Sequence, residues 1–210
     1  IVNPAAYTAV DKAESEPELV AAINTRAPAI FGEEAAKLGA LVIHYSTDYV
    51  FDGNHQGYYT EQDASNPQSV YGRTKRDGEL ALQQSGANYL ILRTSWVVGA
   101  HGANFAKTML RLAAERDSLK IVADQQGAPT SAALLADITA HLVRQYQREG
   151  KQVFPYGVYH LVAGGETNWC DYARFVVGEA RKAGKVLKAS PESIHPITTA
   201  EYPLPAARPT

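Results

Sequence analysis

The sequence has little of several features, and each scarcity excludes a class of protein. The single cysteine, Cys170, cannot form an internal disulfide, which is typical of a reducing cytoplasm. A formal net charge of -2 leaves no basic field of the kind that binds a nucleic-acid backbone. No apolar run approaches the length that spans a bilayer. We therefore expect a cytoplasmic protein whose partners include neither nucleic acid nor a membrane.

What the sequence does contain is the pattern of an α/β fold. With 210 residues, of which 45% are apolar and 20% charged, it can bury the core of one large domain or two small ones. Apolar, β-branched runs alternate with segments of helical period, including one or two helices that end at Gly39. Strands are predicted at 41–46 and 88–96, a helix at 69–84, and a long polar loop at 52–67.

Polar side chains follow the strand at 41–46 without a gap. Ser46 is succeeded by Thr47 and Asp48. In a parallel sheet, residues just past the carboxyl end of a strand face the ligand crevice, where hydroxyls can bind a substrate oxygen. The same residue types are also favoured in turns and caps, so the cluster alone is compatible with a turn.

Tyr71 and Lys75 are four residues apart in the predicted helix, so their side chains share one face. A tyrosine, with a reference pKa of about 10, is a poor acid–base catalyst at neutral pH. A neighbouring ammonium would favour the phenolate and lower that pKa. The spacing alone is common by chance. Its position after the long loop, downstream of Thr47, favours a catalytic pair.

Three segments, STDYVFDG, NPQSVYGRTKRDGE and ILRTSWVVG, resemble the extended short-chain dehydrogenase/reductases, whose catalytic set is a Ser or Thr, a Tyr and a Lys. Others, including DQQGAPTSAALLAD, YHLVAGGETNW and YPLPAARP, resemble the dTDP-4-dehydrorhamnose reductases, and the resemblance covers nearly the whole chain. It implies a Rossmann-like parallel sheet with a smaller C-terminal substrate-binding part. A partial dinucleotide-binding domain is expected at 1–98 and a mainly substrate-binding part at 99–210, with about 119–148 returning to the sheet.

The resemblance also implies roles for individual residues. Tyr71 would protonate the C4 oxygen of dTDP-4-dehydro-L-rhamnose as hydride arrives from NADPH or NADH, which yields dTDP-L-rhamnose for cell-surface polysaccharide. Lys75 would hold the cofactor ribose and lower the tyrosine pKa, and Thr47 would hydrogen-bond the reacting oxygen. Asn24 would hold a water in a proton relay. Substrate binding is assigned to Thr47, Asp48 and Trp96, and cofactor binding to Asn3, Ala6, Tyr7, Thr8, Tyr71 and Lys75.

Several of these residues also have plain structural interpretations. Trp96 adjoins an apolar strand and could belong to the core. Tyr7 and Asn3 could be ordinary turn residues. His44, in an apolar strand, is more typical of a satisfied core histidine than of a ligand or a base. Pro4 stands where the family has alanine and removes a backbone N–H beside the cofactor turn.

Some features of the family are not found in this sequence. In members of the family, a strand and a Gly-rich turn that holds the pyrophosphate come before the segment that corresponds to Ile1, and the chain continues beyond the position of Thr210. Neither part is in this sequence. We therefore expect a core fragment whose sheet is incomplete in its N-terminal half and which could be inactive by itself. No His, Cys or carboxylate set has metal-ligand spacing. A divalent ion such as Mg²⁺ at a subunit interface, and a homodimer, stay open.

Two other functions stay open as well. A nucleotide-sugar 4,6-dehydratase or epimerase-like enzyme shares much of the pattern, but the dehydratase needs an acidic residue directly after the aspartate, where this chain has Tyr49. A non-catalytic NADP-binding regulatory subunit, such as that of methionine adenosyltransferase, uses the same scaffold. The joint presence of Thr47, Tyr71 and Lys75 disfavours it.

Overall fold

A computed structural model describes residues 1–209, which form two compact units. The first unit contains Ile1–Thr94, Ile138–Val162 and the segment that begins at Leu204. The second contains Ser95–Asp137 and Ala163–Pro203. The functional division between 1–98 and 99–210 concerns which ligand each part binds, and it stays a prediction.

Strands and helices alternate along the chain, as predicted for an α/β fold. The strands are β1 (Val2–Asn3), β2 (Leu41–Thr47), β3 (Asn88–Thr94), β4 (Val97–Val98), β5 (Leu119–Val122), β6 (Gln126–Gly127), β7 (Thr130–Ser131), β8 (Gly157–His160), β9 (Thr167–Asn168) and β10 (Ile194–Ile197). The helices are α1 (Val10–Ala13), α2 (Pro17–Ala21), α3 (Ala27–Leu38), α4 (Val70–Gln84), α5 (Phe105–Glu115), α6 (Ala132–Glu149) and α7 (Trp169–Lys182), with a π-helical turn at Ala22–Arg26 and 3₁₀ turns at Asp48–Val50, Pro191–Ser193 and Thr199–Glu201. Within residues 1–209, no helix is long and apolar enough to cross a membrane.

The first unit is built on a parallel sheet with the strand order β1-β2-β3-β8. Val42 and Ile91 face the side of α3 and α4, where they pack with Leu82. Ile43 and Leu90 face the opposite side, which α6 covers. Because both faces of the sheet are covered, β2 and β3 are buried almost throughout, and each has an apolar run, as strands of parallel sheets usually do.

The first turn of α4 is anchored at the carboxyl end of β2. The Ser69 hydroxyl caps the helix by accepting from the Gly72 amide at 3.1 Å. A carboxylate oxygen of Glu14 accepts from the Val70 amide at 2.7 Å. Gly72 lies so close to the Tyr49 carbonyl oxygen that a Cβ there would overlap it. The helix predicted at 69–84 is confirmed. Its close approach to the Tyr49 carbonyl oxygen requires glycine at position 72.

The structure differs from the prediction at several element boundaries. β3 ends at Thr94 rather than Trp96, because Trp96 has a φ of 44°, which an extended strand cannot accommodate. The helical segment before Gly39 is divided into α1, α2, a π-helical turn and α3, with a proline in the first turn of both α2 and α3. β8 was not predicted, because it is short and only partly buried.

The second unit has its core between two helices and a pair of parallel strands. Met109 of α5 and Val177 of α7 pack with Leu119 of β5 and Ile194 of β10, which pair in parallel. Cys170 is buried in the same cluster, as predicted for a small core residue.

Candidate active site

The hydroxyl of the last residue of β2 is hydrogen-bonded to the carboxyl group of the residue that follows the strand. Thr47 Oγ1 donates to Asp48 Oδ1 at 2.9 Å and accepts from the Tyr49 amide at 3.2 Å. The second bond makes Thr47 the cap of the 3₁₀ turn that follows. Burial raises the pKa of Asp48 to about 6, although the Thr47 hydroxyl and nearby backbone amides lower it. The polar cluster is therefore a turn that also holds an acidic group titrating near neutral pH.

Tyr71, in the first turn of α4, is buried beside the turn that follows β2. Its side chain is 9% exposed and packs with Ala13 and Val20. The Tyr49 ring meets it edge to face, with 5.4 Å between ring centroids. Burial raises the pKa of Tyr71 to about 12, although a hydrogen bond with the Thr47 hydroxyl lowers it.

The predicted lowering of the Tyr71 pKa by Lys75 is therefore wrong for the structure as it stands. The phenol is desolvated, while the Lys75 ammonium is directed at the Tyr45 carbonyl oxygen rather than at the phenol. As a consequence, Tyr71 is protonated at neutral pH. A proton donor has to start in that form.

Lys75 lies on the same face of α4 as Tyr71, but its ammonium group is directed at the backbone near the end of β2. Its Nζ donates to the Tyr45 carbonyl oxygen at 2.6 Å and lies 3.4 Å from His44 Nε2. The residue is only 2% exposed. Burial lowers the pKa of Lys75 to about 8, and the Glu79 carboxylate acts in the opposite direction. Lys75 can thus change its charge close to the working pH of an enzyme.

Asn3 and His44 occupy paired positions on β1 and β2 and are both buried. Asn3 Nδ2 lies 3.0 Å from His44 Nδ1. Burial, aided by the Lys75 charge, lowers the pKa of His44 to about 3, so its ring is neutral. The prediction of a satisfied core histidine is confirmed. Its contacts with Asn3 and Lys75 were not predicted. Polar residues in two neighbouring apolar strands were the available signal for the contact with Asn3.

The turn after β1 is fixed by an asparagine from the π-helical turn. Asn24 Oδ1 accepts from the Tyr7 amide at 2.8 Å, and Asn24 Nδ2 donates to the Tyr7 carbonyl oxygen at 3.1 Å. The Tyr7 hydroxyl donates to Glu16 Oε2 at 2.6 Å. Ala6 is half-buried and Thr8 is exposed in the same turn. Asn24 therefore shapes this turn, and its role in a proton relay stays a prediction.

Trp96 belongs to the second unit, whereas the other predicted site residues belong to the first. Its indole stacks on Trp169, with 3.4 Å between centroids and 12° between planes. A Cβ on Gly127 would overlap the same indole, so glycine is required there. The Trp169 Nε1 donates to Gln125 Oε1 at 3.1 Å. Trp96 is half-buried in an aromatic stack and is not a core residue of the sheet.

No metal site accompanies these residues in the part of the chain that the structure describes. Among residues 1–209, no group of three or more His, Cys, Asp or Glu side chains is placed to hold a metal ion.

Comparison with known proteins identifies the family. Residues 1–210 match the family model described as the RmlD substrate binding domain. The dTDP-4-dehydrorhamnose reductase of Salmonella typhimurium is 52% identical over 209 residues, which are 100% of this chain and 68% of that protein. The chain belongs to the dTDP-4-dehydrorhamnose reductase family.

Solved structures of the dTDP-4-dehydrorhamnose reductase family have the same fold. The reductase from Clostridium acetobutylicum superimposes with a TM-score of 0.87 at 38% identity, covering 99% of this chain and 68% of that one. The reductase from Bacillus anthracis, solved in complex with NADP, gives 0.87 at 35% identity and covers 100% of this chain and 69% of that one. These matches confirm the predicted Rossmann-like parallel sheet.

A buried ion pair next to Tyr71 and Lys75 was not predicted. Glu79, one turn beyond Lys75, forms a buried ion pair with Arg93 of β3. Arg93 Nε donates to Glu79 Oε1 at 3.0 Å, and Nη2 donates to Oε2 at 2.7 Å. An arginine directly after the apolar run of a buried strand was the available signal, because such a charge requires a partner.

Proposed function

We propose that the protein catalyses the NAD(P)H-dependent reduction of the C4 ketone of dTDP-4-dehydro-L-rhamnose to dTDP-L-rhamnose, a step of nucleotide-sugar and cell-surface polysaccharide biosynthesis. Family membership supports this reaction. The observation that carries the assignment of the reacting groups is the position of Tyr71, which begins α4 in edge-to-face contact with the Tyr49 ring, next to Thr47 at the carboxyl end of β2. Lys75, one turn further along α4, completes the set.

Tyr71 is the proton donor. Its hydroxyl is protonated at neutral pH, so it can deliver a proton to the C4 oxygen as negative charge develops there, although burial raises its pKa and makes it a weaker acid while the site is empty of ligands. Thr47 orients the phenol and is in turn held by Asp48. When the Thr47 hydroxyl turns its single proton from Asp48 to the reacting oxygen, it stabilises the charge that develops there.

The chemistry of the first unit fits a nicotinamide nucleotide. Asn3 ends β1 at the carboxyl edge of a parallel sheet, where α/β folds bind nucleotides, and Ala6, Tyr7 and Thr8 follow in the adjoining turn. Lys75 offers a buried cationic donor to the ribose. The bound cofactor supplies the hydride. The Bacillus anthracis relative binds NADP, which favours NADPH as the donor.

Thr47 and Asp48 bind the dTDP-sugar, and the assignment of Trp96 to substrate binding stays a prediction. Asp48 carries an acceptor group beside the reacting hydroxyls, and its pKa of about 6 leaves it mostly charged at neutral pH. Trp96 offers a half-buried indole, a surface on which sugar rings commonly pack. The proposal includes a cytoplasmic location, because the single cysteine favours a reducing compartment. It also includes a homodimer.

The experiment is the oxidation of NADPH by the full-length parent protein in the presence of dTDP-4-dehydro-L-rhamnose, compared between the wild type and Tyr71→Phe. We expect kcat to fall by about 10²–10⁴-fold in the variant while NADPH binding is retained, because only the proton donor is removed. Tyr49→Phe is the matched control, since Tyr49 packs against Tyr71 without bonding to Thr47 through its hydroxyl. Equal turnover in Tyr71→Phe would contradict the assignment. Cofactor binding without turnover by the wild type would favour the regulatory subunit.

A further inference from the structure

In the second unit, a buried glutamine connects the tryptophan stack to a hydroxyl group. Gln125 comes shortly after β5 and is only 6% exposed. Its Oε1 accepts from Trp169 Nε1 at 3.1 Å, and its Nε2 donates to Thr199 Oγ1 at 3.0 Å. A buried amide needs partners at both of its ends, and these two bonds supply them. The Gln125 side chain is therefore held between an indole and a hydroxyl.

The direction of each bond in this chain is fixed by the groups at its two ends. An indole N–H can only donate, so Trp169 requires an acceptor. At the other end, the Thr199 hydroxyl donates its single proton to Asp124 Oδ1 at 2.7 Å, and it therefore accepts from Gln125. The Thr199 amide also donates to the Asp124 carboxylate, at 2.9 Å from each oxygen. Only one orientation of the Gln125 amide satisfies both neighbours.

These residues meet because β5 and β10 are parallel neighbours. Asp124 and Gln125 come shortly after β5, and Thr199 comes shortly after β10. Paired parallel strands end at the same edge of a sheet, so the polar residues that follow them are brought together. The strand pair thus forms the rigid base from which Gln125 reaches the indole.

Trp96, the partner of Trp169 in the stack, has a strained backbone. Its φ of 44° lies in the left-handed region, which bulky residues rarely adopt. Such strain persists only where the surroundings impose it. Here Gly127 lies against the Trp96 indole, and Trp169 stacks on it with 3.4 Å between centroids. The position of the Trp96 indole therefore depends on a neighbour that Gln125 holds.

We propose that Gln125 is a positioning residue for substrate binding, which fixes the Trp96 indole through Trp169 before the dTDP-sugar arrives. The inference rests on the proposed function, which predicts that Trp96 binds this sugar. A side chain that is already ordered loses no rotamer freedom on binding, which is worth about 2–10-fold in affinity. Gln125 acts on binding and not on proton transfer, since its side chain bonds only to residues of the second unit.

The competing explanation is that aromatic packing alone holds the stack. Phe105 of α5 lies against Trp169, with 4.5 Å between ring centroids, and Tyr172 lies 5.5 Å from Phe105. The two explanations differ in the effect of removing the hydrogen bonds while the volume of the side chain is kept. Aromatic packing would survive Gln125→Met, whereas a directional bond to the indole would not.

The first test compares Gln125→Met with Gln126→Met in the full-length parent protein. Gln126 is the neighbouring glutamine, is exposed and takes no part in the chain, so it is the matched control. The circular-dichroism signal of the stacked indoles is assigned by its loss in Trp96→Phe. We expect most of this signal to be lost in Gln125→Met and none of it in Gln126→Met. An unchanged signal in Gln125→Met would overturn the proposal, because packing would then suffice.

The second test measures the effect on the bound sugar. Calorimetric titration with dTDP-L-rhamnose requires no turnover, and it should give a dissociation constant about 2–10-fold higher in Gln125→Met than in the wild type. The KM for the dTDP-keto-sugar should rise by the same factor, while kcat stays within about twofold of the wild type. A lost circular-dichroism signal with unchanged affinity would overturn the positioning role. A fall in kcat at unchanged KM would overturn it as well.

Thr199→Val covers the case in which Gln125→Met does not fold. Valine keeps the shape of threonine and removes only the hydroxyl that holds the Gln125 amide, so both measurements should change in the same direction by a smaller factor. If this is the variant that folds, unchanged results in it would overturn the proposal. The proposed function is tested separately by NADPH oxidation. A wild type that binds dTDP-L-rhamnose without turnover would contradict the reductase, while the titration still decides the role of Gln125.

Discussion

Thr47 ends a strand and Tyr71 begins a helix, and both contact Tyr49, whose amide donates to Thr47 Oγ1 at 3.2 Å and whose ring meets the Tyr71 ring edge to face. These contacts exist because α4 starts directly against the 3₁₀ turn that Thr47 caps, with Gly72 facing the Tyr49 carbonyl oxygen. Thr47 caps the turn through its hydroxyl, which confirms the structural interpretation of the Ser-Thr-Asp cluster. Its functional interpretation stays a prediction.

Replacement of Thr47 by valine keeps the shape of the side chain and removes its hydroxyl. We expect kcat to fall by about 100-fold, because the charge on the reacting oxygen loses a fixed donor. The pKa of Tyr71 should rise further, since the hydrogen bond that lowers it is lost. Steady-state kinetics and ultraviolet titration of the phenol measure the two effects. Thr47→Ser should keep both properties near those of the wild type, and a serine variant as slow as valine would count against this role.

Gly72→Ala tests the close approach of α4 to the turn. The new Cβ would overlap the Tyr49 carbonyl oxygen, a backbone atom that cannot move aside cheaply. We expect a loss of about 1–3 kcal/mol in the free energy of unfolding, measured by urea denaturation. Gly178→Ala in α7 is the control, because its Cβ would meet only Pro191 Cγ at 3.5 Å. That variant should gain up to about 1 kcal/mol from helix propensity, and equal effects in both would contradict the overlap.

The sequence was sufficient to predict the elements with clear apolar periodicity and the polar residues at their ends. β2, α4 and the shared face of Tyr71 and Lys75 follow from local patterns. The direction of the Tyr71 pKa shift could not be predicted in this way. It depends on burial by Ala13 and Val20, which come from a distant segment, and on where the Lys75 ammonium is directed.

His44 gives the stability of the fold a specific dependence on pH. Its pKa is about 3 in the folded state, against 6.5 for an ordinary histidine, so between these values the unfolded chain binds the extra proton. The free energy of unfolding should therefore fall as the pH drops from 6.5 towards 3, by up to about 1.4 kcal/mol per pH unit from this group. Urea denaturation of the wild type and of His44→Gln isolates the contribution. The variant should show the shallower slope in this window, and identical slopes would show that His44 is not buried as a neutral ring.

The sequence has two tryptophans, and Trp96 and Trp169 stack face to face in the second unit. Stacked indoles couple electronically, so the near-ultraviolet circular dichroism of the pair should disappear in Trp96→Phe and equally in Trp169→Phe, rather than fall by half in each.

The substrate role of Trp96 makes a further distinction between the two variants. Trp96→Phe should raise the KM for the dTDP-sugar more than it lowers kcat, because the indole contributes binding and not proton transfer. Trp169→Phe should raise KM less, since it supports the stack. A larger KM effect in Trp169→Phe would move the substrate contact to that residue, and a signal that survives in either variant would contradict the stacking itself.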